Sequence, residues 1–240
     1  MLVELWDYWT AGSAPWARQE GYLYASIALA HRARRCEQYW GDHLSQCHKL
    51  MNDFCRQYSQ AKSVAILGSG LLLETPLHLL PAGVERIELV DAVHTKDVRE
   101  RVNTRYAEKK KWINWRELNL NSSEVPVHCD LVISANLLSQ LPQMPVRRMR
   151  RRDQTDEKIT EVQRRLQEIH LLTLPRWADH ALMFSDHSML TLNRQGETLA
   201  QVPTVVPEIA WQERWRWNLA PAPEVSKEHS IVLEMGAVRL

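Results

Sequence analysis

The sequence predicts an α/β protein: a seven-stranded, mostly parallel sheet with an antiparallel C-terminal strand, layered between helices and preceded by a helical cap. Three observations carry that expectation. From Ala61 onward, short apolar runs alternate with stretches of helical periodicity, as strands and their covering helices do. Before Ala61 the periodicity is helical. Near the end, two apolar runs, Trp211 to Trp217 and His229 to Val238, are joined by a Pro-rich turn with no helical pattern between them, so they read as a hairpin.

In the cap, residues 1–60, Tyr22, Ala25, Leu29, Ala33, Cys36 and Trp40 recur at steps of three and four and mark one stripe of a helix. Gly41 followed by Asp42 reads as a helix stop and a new N-cap, opening a second helix that reaches about Tyr58. The sheet domain is residues 61–240. Its strands are expected at Val64 to Leu67, Arg86 to Val90, Trp112 to Glu117, Leu131 to Ser134 and Ala181 to Ser185. Thr75-Pro76 fits a helix start after the first strand. Ile159, Val162, Leu166 and Ile169 mark a helix between the fourth and fifth strands, with Asp153 and Asp156 spaced like a capping box before it.

Composition narrows the class of function. A hydrophobic share of 45% and a charged share of 25% suit a globular chain. The net charge of +1 provides no global field toward nucleic acid or an anionic membrane. No apolar run approaches the ~20 residues that span a bilayer, and Met1-Leu2-Val3-Glu4 lacks a basic leader, so a cytoplasmic protein is expected. Cys36, Cys47, Cys55 and Cys129 form no CxxC pair; free thiols and no metal site are expected. Ten Trp stand against two Phe, which points to half-buried surfaces where an indole keeps its donor near a partner.

The chemistry concentrates at one turn. Val64 to Leu67 runs directly into Gly68-Ser69-Gly70, where glycines let the backbone turn sharply and approach a ligand. The second strand ends in Asp91, and parallel neighbours bring these two ends to the same sheet edge. Asn119 follows the third strand, and Ser134-Ala135-Asn136 closes the fourth.

In that order, and over about Ser63 to Leu240, the sequence resembles the class I S-adenosylmethionine (SAM) methyltransferases, a Rossmann-like family. The resemblance implies SAM as cofactor, with Gly68, Ser69 and Gly70 at its methionine portion and Asp91 at the ribose hydroxyls. It places Asn119 and Leu120 at the adenine, and Ser134 and Asn136 in the floor near the sulfonium. The family's first loop carries an acid and a third glycine where this chain has Ile66 and Leu72. Glu74 is the nearest carboxylate that could replace the acid. A nicotinamide-dependent dehydrogenase would also use Gly68, Gly70 and Asp91, but Leu73 stands where its third glycine packs helix against strand.

Asp186 and His187, at the end of the fifth strand, are the candidate catalytic pair, His187 as proton acceptor and Asp186 as its orienter. His94, Asn136 and Gln140 are alternative acceptor contacts. A small-molecule acceptor is expected. The alternative is a catalytically silent domain that binds a protein partner. Arg147 to Arg152 forms a basic run without interleaved aromatics, which reads as a solvated loop rather than a nucleic-acid surface.

Overall fold

The computed structural model describes Trp6, Tyr8, Trp9 and residues 11–240. Trp6, Tyr8 and Trp9 are helical; the cap goes on with α1 (Pro15–Gln19) and α2 (Tyr22–Arg35), separated by Gly21 in the left-handed region at φ 90°. The third helix, α3 (Glu37–Gln57), follows at Cys36. The expected break at Gly41-Asp42 is therefore displaced: the helices part at Cys36, and Gly41 lies inside α3. A mid-helix glycine costs about 1 kcal/mol, and the burial of Trp40, Cys47, Leu50, Met51 and Phe54 along one stripe of α3 outweighs it.

The strands are β1 (Ser63–Leu67), β2 (Arg86–Asp91), β3 (Ile113–Glu117), β4 (Cys129–Ala135), β5 (Ala178–Leu192), β6 (Thr198–Pro203), β7 (Glu213–Ala220) and β8 (Ser230–Arg239). They form one eight-stranded sheet in the order β3-β2-β1-β4-β5-β8-β7, with β6 paired to β5. The first five strands are parallel, and β8 runs antiparallel to both β5 and β7. This is the Rossmann-like sheet with an antiparallel C-terminal strand that the sequence predicts, enlarged by one strand.

The extra strand arises because β5 does not stop at Ser185. It continues to Leu192, turns at Asn193 to Gly196, and returns as β6. Along one edge β5 pairs with β8 from Leu182 to Leu192; along the other it pairs first with β4 and then, beyond the end of β4, with β6. The β5–β6 hairpin thus stands above the carboxyl end of β4.

Remaining helices are α4 (Lys96–Arg105), α5 (Gln143–Arg150) and α6 (Asp156–Trp177). The basic run lies on α5 and the turn after it, not in a loop. Thr155, rather than Asp153, caps α6, its hydroxyl accepting from the Lys158 N–H. After β1 the expected helix is reduced to a single 3-10 turn, Leu77–Leu79. Pro76 and Pro81 bracket that stretch and leave room for no more.

Alternate strand residues feed two cores. Val64, Ile66, Ile87, Leu89, Leu131, Ile133, Leu182 and Phe184 face α3 and α4, while Ala65, Leu67, Val90, Val132, Ala181 and Met183 face α6. The cover that a helix after β1 would provide comes from Leu50, Met51 and Phe54 of α3, clustered with Leu77. Ala17, Leu23 and Ile27 pack with Val93, so α1 and α2 lie over the end of β2.

Candidate cofactor site at the carboxyl edge of the sheet

The strand order reverses between β1 and β4, the position where open α/β sheets leave a crevice for a ligand. Gly68 to Gly70 leaves β1 at that point. Gly68 and Gly70 have φ of 71° and 45°, and a Cβ on Gly68 would stand 2.7 Å from the Ala135 carbonyl oxygen of β4. Only glycine fits there, and the local sequence alone identifies it.

Asp91 is half-buried beside the turn. Its Oδ2 accepts from the Gly70 N–H at 2.8 Å and its Oδ1 from the Ala92 N–H at 2.7 Å. Burial raises its carboxyl above the ordinary range, and these backbone donors hold it back. The acid at the end of β2 and the glycine turn of β1 thus form one unit, with the Val93 N–H as a further backbone donor to the carboxylate.

Two buried polar atoms flank the turn with no partner: His94 Nδ1 and Asn136 Oδ1. His94 engages Ser69 through Nε2 at 2.9 Å from the hydroxyl, and its edge meets the Trp115 ring. Burial, then the Arg99 charge, brings its pKa down to about 3, so the imidazole is neutral. Asn136 sits in the left-handed region at φ 49°, its backbone N–H bound to the Phe184 carbonyl. Its Nδ2 donates to Glu74 Oε1 at 3.1 Å. Glu74 faces His43 at 3.8 Å, and despite burial its carboxyl lies below the usual range because His43 and Asn136 favour the charged form. His43 stacks on Trp217 at 4.0 Å and accepts from Trp215 Nε1 at 3.0 Å. Glu74 therefore links the glycine loop to α3, β4 and the C-terminal hairpin.

The other candidate residues are more dispersed. Asn119 is exposed beyond β3, its Oδ1 accepting from the Asn121 N–H, with Leu120 half-buried beside it. Asn121 in turn donates to the Tyr22 hydroxyl of α2 at 3.0 Å. Ser134 is fully buried on the α6 side, 2.8 Å from His170 Nε2, so its hydroxyl lies in the core beneath the edge. Asp186 is buried and accepts from the Ser139 hydroxyl at 2.5 Å, joining the exit of β4 to the middle of β5. His187 lies at the bulge between Asp186 and Ser188 and stacks on Trp211 at 5.8 Å. Among the described residues no hydrogen bond joins Asp186 to His187, as expected for neighbours on opposite faces of a strand.

Several residues of this edge carry no signal in the sequence. Gln167 of α6 is fully buried and binds the carbonyls of Leu138 and Thr204 and the Val206 N–H, tying the β6–β7 connection to the exit of β4. Ser139 and His43 likewise gain their roles only from partners distant in the chain. No group of three or more potential metal ligands occurs among the described residues, and no helix there is long and apolar enough to cross a membrane.

No protein-family model and no curated protein matches the chain. Solved structures with a related arrangement include the N-methyltransferase NodS from Bradyrhizobium japonicum, at 12% identity over 81% of this chain and 85% of that one, with a TM-score of 0.41. A second is 1,6-didemethyltoxoflavin-N1-methyltransferase from Burkholderia thailandensis, at 13% identity over 87% of each chain and a TM-score of 0.41. TehB from Haemophilus influenzae covers 78% of this chain and 60% of its own at 10% identity and a TM-score of 0.43. Likenesses this loose leave function to the residues of the edge itself.

Proposed function

We propose that this chain binds SAM across the Gly68–Gly70 turn and transfers its methyl group to a small-molecule acceptor. The observation that carries this reading is the glycine turn at the reversal of strand order, in contact with Ala135 and flanked by the unpaired Asn136 Oδ1 and His94 Nδ1. Bound there, SAM would supply an electrophilic methyl group on a sulfonium. Asp91 would accept from the ribose hydroxyls, Asn119 and Leu120 would border the adenine, and Asn136 would orient the methionine end. Displacement at a methyl carbon needs alignment above all, so the β5–β6 hairpin and the α1–α2 corner would act by holding the acceptor in line and shedding water. Where the acceptor must lose a proton, His187 would take it. Burial, with Arg214 nearby, lowers its pKa, so it is neutral at pH 7.

A second reading, a catalytically silent domain that binds a protein partner, is favoured by one specific observation. Both oxygens of Asp91 already hold backbone N–H groups, and Leu72 is buried at φ 53° where a third glycine would open the loop. Calorimetry with SAM and with S-adenosylhomocysteine decides between the two. The methyltransferase reading expects saturable binding that Asp91→Ala weakens at least about tenfold, the worth of a hydrogen bond to a charged acceptor. No heat and no thermal shift with either ligand at millimolar concentration would leave the silent reading.

A further inference from the structure

Helix α5 contains no buried side chain. Eight residues are too few to hold a helix by propensity alone. It packs against α6 and is tied to the cap, where Arg148 reaches Glu20 at 2.5 Å and Met144 Sδ lies near Gly21. Arg147, Arg150 and Arg151 stand at i, i+3 and i+4 and therefore share a face. Among the described residues none of the three has an ion-pair or side-chain hydrogen-bond partner, although Asp153, Asp156 and Glu157 follow closely. Like charges so spaced destabilise a helix by a few tenths of a kcal/mol per pair, which the C-terminal helix dipole offsets only in part. The side chains of these three arginines, with Gln143 and Val146, line an open surface cavity of about 450 Å³, the size of a small-ligand site.

We propose that this cavity is an anion site that takes the phosphate or pyrophosphate group of a small ligand. Guanidinium forks match phosphate oxygens two at a time, and three arginines on one helix face supply the charge that a dianion needs. Gln143 adds an amide donor, and Val146 gives the uncharged part of the ligand an apolar wall. The site is separate from the glycine turn, so it stands whether or not SAM binds there.

The test is titration of the full chain with inorganic pyrophosphate at low ionic strength, on wild type and on two variants of equal net charge. Arg147→Gln/Arg150→Gln removes two groups from the cavity; Arg164→Gln/Arg165→Gln removes two from α6 that do not line it. Because no α5 side chain is buried, the first variant should keep its circular dichroism spectrum and melting temperature. The proposal expects one pyrophosphate per chain, affinity lowered at least tenfold in the α5 variant and less than twofold in the α6 variant. Equal weakening in both variants would reduce the effect to net charge and overturn the site. Absence of binding at 10 mM, about the weakest affinity a specific dianion site would show, would also overturn it. So would binding of a single-stranded dodecanucleotide RNA without binding of pyrophosphate, which would give the patch to a nucleic acid.

Discussion

His94 and His170 are withdrawn from water on opposite sides of the sheet, each with one ring nitrogen on a serine hydroxyl, Ser69 and Ser134. Burial alone brings His170 to about 4, against an ordinary value of 6.5. The unfolded chain therefore binds a proton at this residue below about pH 6.5 that the folded chain refuses until about pH 4. Stability contributed by neutral His170 is present above that window and is lost as pH falls through it, by at most roughly 3 kcal/mol. Asp91 and Asp186 act in the opposite sense, since burial raises their carboxyls and the folded state takes up those protons first. A difference isolates the histidine. Urea unfolding of wild type and His170→Gln at pH 7 and pH 4.5 should show the stability gap between them shrinking by roughly 2 kcal/mol on acidification. A gap that does not move with pH would mean that His170 is not held neutral by the fold.

At the scale of elements, the C-terminal hairpin is fastened to α3 by aromatic packing. Trp217 of β7 is buried, meets Trp40 edge to face at 4.9 Å and lies flat on His43, while Trp40 Nε1 donates to the Leu219 carbonyl. Trp217→Ala should cost roughly 3–5 kcal/mol in chemical denaturation, as large aromatic deletions in cores do. Its own Nε1 is buried without a partner, so Trp217→Phe removes an unsatisfied donor along with part of the ring and should cost less than half as much. If the two variants fall equally, the aromatic packing is not what fastens the hairpin. This junction also shows what the sequence could and could not disclose. The hairpin, the parallel strands and the turn of Gly68 to Gly70 are legible because period and turn chemistry are local. The continuation of β5 into β6 is not: β6 is exposed at every position, so it lacks the alternation that marks a half-buried strand. Asp91 and Asn136 are legible as ends of strands, whereas the Glu74–Asn136 and Ser69–His94 bonds join residues whose proximity only the folded sheet creates. Gly41 misleads because a helix-stop residue is tolerated wherever tertiary burial exceeds its propensity cost.

The boundary near residue 60 marks a change of pattern, and what it means for the whole molecule follows from where α3 sits. Leu50, Met51, Phe54 and Cys55 belong to the same core cluster as Val64, Ile66, Leu131, Ile133 and Phe184, and Trp40 belongs with Trp217, Leu233 and Met235. Fully burying Trp40, Leu50, Met51 and Phe54 is worth about 1.5–3 kcal/mol each, together the size of a whole domain's net stability of about 5–15 kcal/mol. The short 3-10 turn after β1 provides only Leu77 and its neighbours in place of α3, and α4 covers the rest of that face. The cap and the sheet are thus one folding unit, even though their sequence textures differ. Thermal and urea unfolding of the 240-residue chain, followed by tryptophan fluorescence and by far-ultraviolet circular dichroism, should give coincident single transitions. Expressed alone, residues 61–240 should lack a cooperative transition and expose the face that α3 covers, read as binding of an apolar dye. A fragment that melts cooperatively near the temperature of the full chain would instead make α3 an appendage to a self-sufficient sheet.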